Sequence, residues 1–159
     1  MNDNNYILIS IFIKVILSFN QLFKNMTEIQ KINYLVVHCS DTPNTSELKA
    51  IDIHKMHLNF KWDGIGYHKI ICRDGTVENG RPEYWVGAHV YNFNKKNLGV
   101  CLIGRDSFTK NQFKSLETLL EKWTCKYPYA KVVGHNNFQN TKKTCPNFDV
   151  LEWWREINK

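Results

Sequence analysis

The stretch "NYLVVHCS", Asn33 to Ser40, decides how the rest of the chain is read. Its β-branched residues and period-two alternation predict a strand with Val36, His38 and Ser40 on one face, closing on a histidine. Working outward, "DTPNTS" (Asp41–Ser46) is turn chemistry, and Ser46 to about Phe60 reads as a helix. "GYHKIICRDGTVENG" (Gly66–Gly80) reads as strand, Asp-Gly turn and strand, which is a hairpin signal. The continuous apolar run "NLGVCLIG" (Asn97–Gly104) predicts a central strand. Thr109 and Gln112 form a capping-box signature, and Phe113, Leu116, Leu120, Trp123 and Tyr127 fall on one helical stripe. "AKVVGH" (Ala130–His135) predicts a last strand ending in His135, and "VLEWWREI" (Val150–Ile157) a closing helix. Strands interleaved with helices predict an α/β fold, a mixed central β-sheet flanked by helices.

A chain of 159 residues is long enough to bury one core without staples. Hydrophobic content of 43% and charged content of 23% are those of a globular protein and exclude a disordered one. The net charge of +6 favours polyanionic partners, among them nucleic acid, acidic lipids and anionic cell-wall polymers. The basic residues are scattered, with no zinc knuckle and no basic region leading into heptads, so nothing points to specific nucleic-acid binding.

The N-terminal "NYILISIFIKVILSFNQLF" (Asn5–Phe23) is the most apolar segment. Its clean run from Tyr6 to Phe19 spans about 21 Å as a helix, short of a hydrocarbon core of about 30 Å, and Lys14 interrupts it. Asp3 precedes the run and bulky residues follow it, unlike a cleaved secretory signal. An uncleaved anchor, a helix packed on the domain and an extension ahead of a start at Met26 stay open. The expected division is an apolar segment over 1–25 and one domain over 26–159, with membrane contact confined to residues 6–19.

The five cysteines, Cys39, Cys72, Cys101, Cys125 and Cys145, are odd in number and lack CxxC spacing, which excludes a disulfide framework and a structural zinc ribbon. Four lie in apolar stretches and read as small buried hydrophobes. Cys145 differs, because "TKKTCPNFD" (Thr141–Asp149) is polar and loop-like. His38 and His135 end two strands and Cys145 follows in a loop; strand ends beside loops are where α/β proteins place their sites. Three nitrogen and sulfur ligands from separate segments with one open position suit a catalytic zinc, which activates water and polarises a carbonyl. Two satisfied histidines with an unrelated thiol would read the same way. So would a Cys145 nucleophile with a histidine base and Asp149 as orienter. His54 and His57, three apart on a helix, lack the glutamate of HExxH and read as a packed or half-exposed pair.

"YLVVHCSDT", "GIGYHKIICRDGTVENGR", "VGAHVYNFN", "NLGVCLIG", "VVGH" and "TCPNFD", in that order from about Asn33 to the C-terminus, resemble the zinc-dependent N-acetylmuramoyl-L-alanine amidases of the type-2 family. The likeness is nearest to the small phage amidases called lysozymes, with peptidoglycan recognition proteins more distant. It implies a single domain of that fold, one catalytic Zn2+ held by His38, His135 and Cys145, and Tyr67 and Lys143 beside the scissile carbonyl. It also implies bacterial peptidoglycan as substrate and a monomeric phage lysis enzyme made in the host cytoplasm. For proton delivery to the leaving amine, zinc-bound water, Tyr67 and His68 are all candidates. Lys142 reads as a solvated neighbour. A wall-binding or polymerase-regulating module of the same fold is the rival reading. Two departures stand out: Asn137 where many relatives carry an acid two positions after the second zinc histidine, and Lys61 where a glycine often precedes the tryptophan, here Trp62.

Overall fold

The computed structural model describes residues 31–138 and 143–159. The segment over residues 1–25, its apolar run at 6–19, and Lys142 lie outside the described residues. Among the described residues five strands, β1 (Tyr34–Cys39), β2 (Lys69–Ile71), β3 (Val77–Asn79), β4 (Asn97–Leu102) and β5 (Lys131–Gly134), form one sheet in the order β3-β2-β4-β1-β5. β3 is antiparallel to β2, and all other pairs are parallel. The sheet is therefore mixed, as expected. Among the described residues three α-helices accompany it: α1 (Ala50–Asn59), α2 (Lys110–Lys126) and α3 (Val150–Ile157).

Alternation along β1 splits the core in two. Leu35 and Val37 join Leu98, Val100 and Leu102 beneath Leu116, Leu120 and Trp123 of α2 and Val150 of α3. Val36 faces the opposite way, with Val133 and Phe138. On that second side α1 covers only part of the sheet, through Ile53 on Ile70, Cys101 and Ile103. His38 lies on that same side, two residues beyond Val36 and buried.

α2 begins where its sequence predicts. Thr109 Oγ1 accepts the N–H of Gln112, and Gln112 Oε1 accepts the N–H of Thr109, which satisfies two orphan donors of the first turn. Of the predicted stripe, Leu116, Leu120 and Trp123 are fully buried, and Phe113 and Tyr127 are half-buried. The turn of the β2–β3 hairpin falls on Asp74–Gly75, with Gly75 at φ +91° and the Thr76 N–H donating to Asp74 Oδ1.

Three boundaries differ from expectation. α1 starts at Ala50 rather than Ser46, because Ser46 N–H is spent on a turn to the Pro43 carbonyl. Its first turn is capped instead by Asp52 Oδ2, accepting from Lys49 N–H, and by Glu78 of β3, accepting from Ala50 N–H. β2 starts at Lys69 rather than Gly66, since the preceding residues are tied to α1. β5 stops at Gly134 instead of His135, because Asn137 Oδ1 takes the Gly134 N–H at 2.7 Å and turns the chain.

Candidate metal centre

Strand register brings the first two candidate ligands together. β1 pairs with β5 through Val37 opposite Gly134, so His38 and His135 leave the ends of neighbouring parallel strands side by side. Their ring centroids lie 4.6 Å apart. Cys145 arrives from the loop before α3, and its Sγ is 3.8 Å from His38 Nδ1. One ligand atom from each of His38, His135 and Cys145 fits within 4.8 Å of the others, so the three could hold a metal ion. A tetrahedral zinc with Zn–N of about 2.0–2.1 Å and Zn–S of about 2.3 Å sets ligand atoms roughly 3.3–3.6 Å apart, so this donor set suits that ion, and atoms now within 4.8 Å would draw together by about 1 Å around it.

The loop that presents Cys145 is fastened from several sides. The Cys145 carbonyl accepts the N–H of Asn136 at 2.9 Å. Asn147, at φ +67°, donates from Nδ2 to the Arg105 carbonyl at 2.7 Å and to Cys39 Sγ at 3.6 Å. Asp149 Oδ1 accepts the N–H of Glu152 and so caps α3. That contact assigns Asp149 a structural task in place of orienting a base.

The electrostatics favour neutral imidazoles and an intact phenol. Burial, then the neighbouring His135 and Lys143, hold His38 well below the usual histidine range. Burial and Lys143 bring His135 down to about 4. Both rings therefore keep a lone pair at neutral pH. Tyr67 packs its ring 5.1 Å from that of His38. Burial, with the thiols of Cys101, Cys145 and Cys39 nearby, pushes its phenol well up, so it stays an O–H donor. The hydrogen bond shared with the Cys39 thiol, reinforced by burial, pushes the Cys145 thiol up, and the same bond pushes Cys39 down. Without a cation the pair keeps a proton on Cys145, which does not suit Cys145 to act as a free nucleophile. A coordinated cation reverses this, since a ligating thiol is deprotonated outright.

Tyr67, His135, Lys143 and Cys145 line one cleft of about 620 Å³. His135 and Lys143 also line an adjoining cleft of about 640 Å³ that is walled by Trp62, Tyr91 and Phe93. Four of the five residues named from the sequence thus border one depression beyond the strand ends, and the fifth, His38, is buried directly behind it against His135 and Cys145. His54 and His57 serve elsewhere: their Nδ1 atoms accept the N–H groups of Ile65 at 3.2 Å and Gly66 at 2.9 Å, clamping the segment that leads into Tyr67. His68 is spent on the backbone as well. Its Nδ1 accepts the N–H of Gly99 and its Nε2 donates to the Trp85 carbonyl, both at 2.9 Å, which leaves no nitrogen for proton delivery.

The contacts of two residues escaped the sequence reading. Cys101 is buried as expected, and its thiol also meets the Tyr67 hydroxyl, whereas Cys125, expected to be buried too, is exposed on α2. His89, in "VGAHVYNFN", bonds through Nδ1 to His38 Nε2 at 2.9 Å. The signal for His89 was its setting between Gly87 and Ala88 on one side and the turn residues Asn92 and Asn94 on the other.

The sequence profile of N-acetylmuramoyl-L-alanine amidase (Amidase_2) matches residues 28–148. The endolysin of Escherichia phage T7 is 38% identical over 130 residues, covering 77% of this chain and 85% of its own. The endolysin of Klebsiella phage KP32 is 36% identical over 138 residues, covering 82% and 90%. Among solved structures, the N-acetylmuramoyl-L-alanine amidase LysC from Clostridium intestinale URNW superposes with a TM-score of 0.74 at 30% identity, covering 84% of this chain and 89% of that one.

Proposed function

The chain belongs to the N-acetylmuramoyl-L-alanine amidase family, and from that premise we propose that it cuts peptidoglycan with one zinc ion held by His38, His135 and Cys145, assisted by Tyr67 and Lys143. Its activity is hydrolysis of the amide between N-acetylmuramic acid and L-alanine in bacterial peptidoglycan, in phage lysis. The observation that carries the proposed centre is the mutual spacing of one ligand atom from each of the two imidazoles and the thiol, within 4.8 Å, at a cleft that His135 and Cys145 share with Tyr67 and Lys143.

When bound, zinc supplies Lewis-acid activation of water and of the scissile carbonyl. The chain's own residues do the rest. His38 and His135 offer lone pairs, because burial keeps them neutral. Tyr67, held as a phenol, donates its O–H toward the carbonyl oxygen as negative charge develops there. The Lys143 ammonium at the cleft rim adds a second donor, and both act where water is partly excluded and such contacts count most. Trp62, Tyr91 and Phe93 offer apolar walls for the substrate next to the reacting centre. Every named group comes from one chain, which supports action as a monomer. Synthesis in the host cytoplasm with release onto the wall at lysis is the matching setting. Among the described residues no helix is long and apolar enough to cross a membrane.

Digestion of purified peptidoglycan, with mass spectrometry of the products, tests the activity. Free stem peptides beginning with L-alanine are expected; sugar–peptide linkages intact after long incubation would overturn it. Elemental analysis of unstripped protein tests the metal, with one zinc per chain expected.

A further inference from the structure

We propose that His89 is the positioning residue of the metal centre: it accepts the Nε2–H of His38 and so locks His38 in the tautomer whose Nδ1 faces Cys145. This rests on the zinc reading above and names a residue that reading does not use.

The contact is built rather than incidental. His89 Nδ1 lies 2.9 Å from His38 Nε2, both rings are buried, and their planes stand at 90°. The His89 ring sits in a slot made by two glycines. A Cβ on Gly99 would come within 2.6 Å of it, and one on Gly87 within 2.5 Å, so neither position admits a larger residue without expelling the ring. Gly99 lies on β4 opposite Val36 of β1, two residues before His38, so the slot belongs to the same strand pair that carries the ligand. The backbone is pinned as firmly, since Asn94 Oδ1 accepts the N–H groups of both His89 and Val90 at 2.8 Å.

Proton placement follows from valence. The His38 nitrogen nearest Cys145 Sγ is Nδ1. A neutral imidazole that gives this nitrogen's lone pair to a cation must carry its proton on Nε2. That proton then points at His89 Nδ1, which accepts it, and His89 holds its own proton on Nε2. The reverse arrangement, with His89 donating, would place the His38 proton on Nδ1 and close that nitrogen to metal. Ligating histidines ordinarily have a carboxylate, a carbonyl or water in this role. Here an imidazole fills it. Two polar residues near it among the described ones are committed elsewhere: His68, edge-on to His89 at 5.5 Å, has both nitrogens bound to backbone, and Asn137 is spent on Gly134.

The experiment has two arms. In the first, long-range 1H–15N NMR of the metal-free wild-type protein reads the imidazole tautomers directly. His38 protonated on Nε2 and His89 on Nε2 are expected; His38 protonated on Nδ1 would overturn the proposal. In the second, zinc affinity is measured by chelator competition for His89→Leu and His89→Gln, with thermal melts as a control for folding. His89→Leu should bind zinc roughly 10–100-fold more weakly. His89→Gln, whose side-chain oxygen can still accept, should recover most of that loss. A folded His89→Leu with wild-type affinity would sink the role of His89 alone, whereas wild-type protein that takes up no zinc would sink the metal centre with it. If His89→Leu does not fold, the tautomer spectrum decides by itself.

Discussion

The backbone N–H of Cys39 points at the sulfur of Cys145, 3.3 Å away and 106 residues along the chain. The residue after the first candidate ligand thus donates to the sulfur of the third, coupling the end of β1 to the loop before α3. An N–H aimed at sulfur favours the thiolate that a cation requires. Cys145→Ser shortens the reach and replaces a thiolate with a neutral hydroxyl. Zinc affinity, by chelator competition, should fall by more than the roughly 10–100-fold that loss of an orienting partner costs. An unchanged affinity would remove Cys145 from the ligand set.

Lys143 borders both clefts, and its charge adds to burial in lowering both candidate ligand histidines. If its ammonium acts on the developing oxyanion, Lys143→Ala should lower kcat about 10²–10³-fold while sedimentation with intact walls stays as in wild type. Equal loss of turnover and wall binding would make it a binding residue instead.

Stability should fall in acid even with metal removed. His68 and His57 are brought down to about 4, each chiefly by burial. An unfolded histidine titrates near 6.5, so between about 6.5 and 4 the unfolded chain binds protons that the folded one refuses. Their contribution is complete above about 6.5, is lost as pH falls, and levels off near 4. For His68, 1% exposed, the full window amounts to about 3 kcal/mol. Urea melts in excess chelator at pH 7, 6 and 5 check this. Equal unfolding free energies at all three would contradict it.

Lys61 has φ +65°, a left-handed conformation that costs an L-residue about 1–2 kcal/mol and glycine little. Lys61→Gly should stabilise the fold by about 0.5 kcal/mol, strain relief being offset in part by glycine's larger unfolded-state entropy. Chemical denaturation measures it, and a loss of stability would mean that the lysine's own contacts outweigh the strain.

Much of the architecture was legible because its signals are local. Alternation in "LVVHC", the Asp74–Gly75 turn and the Thr109–Gln112 cap are each decided within a few residues. The two candidate ligand histidines could be picked out for a similar reason, each standing at the end of an apolar strand. What stayed hidden depends on partners far along the chain. The start of α1 is set by Glu78, 28 residues away, and the use of His68 by the Gly99 amide, 31 residues away. The task of His89 emerges only when β4 lies beside β1, since Gly99 makes room for its ring there.

His38 and Cys145 stand 107 residues apart and meet only once β1 is seated between β4 and β5. A nascent polypeptide therefore possesses no complete chelate: the thiol is translated last, and the strands must already be zipped together for the imidazoles to converge. A cation captured by this arrangement rivets sheet and loop, adding about 1.4 kcal/mol to folding for each tenfold excess of free ion over its Kd. Wall-cutting competence and resistance to unfolding would then arrive in the same event.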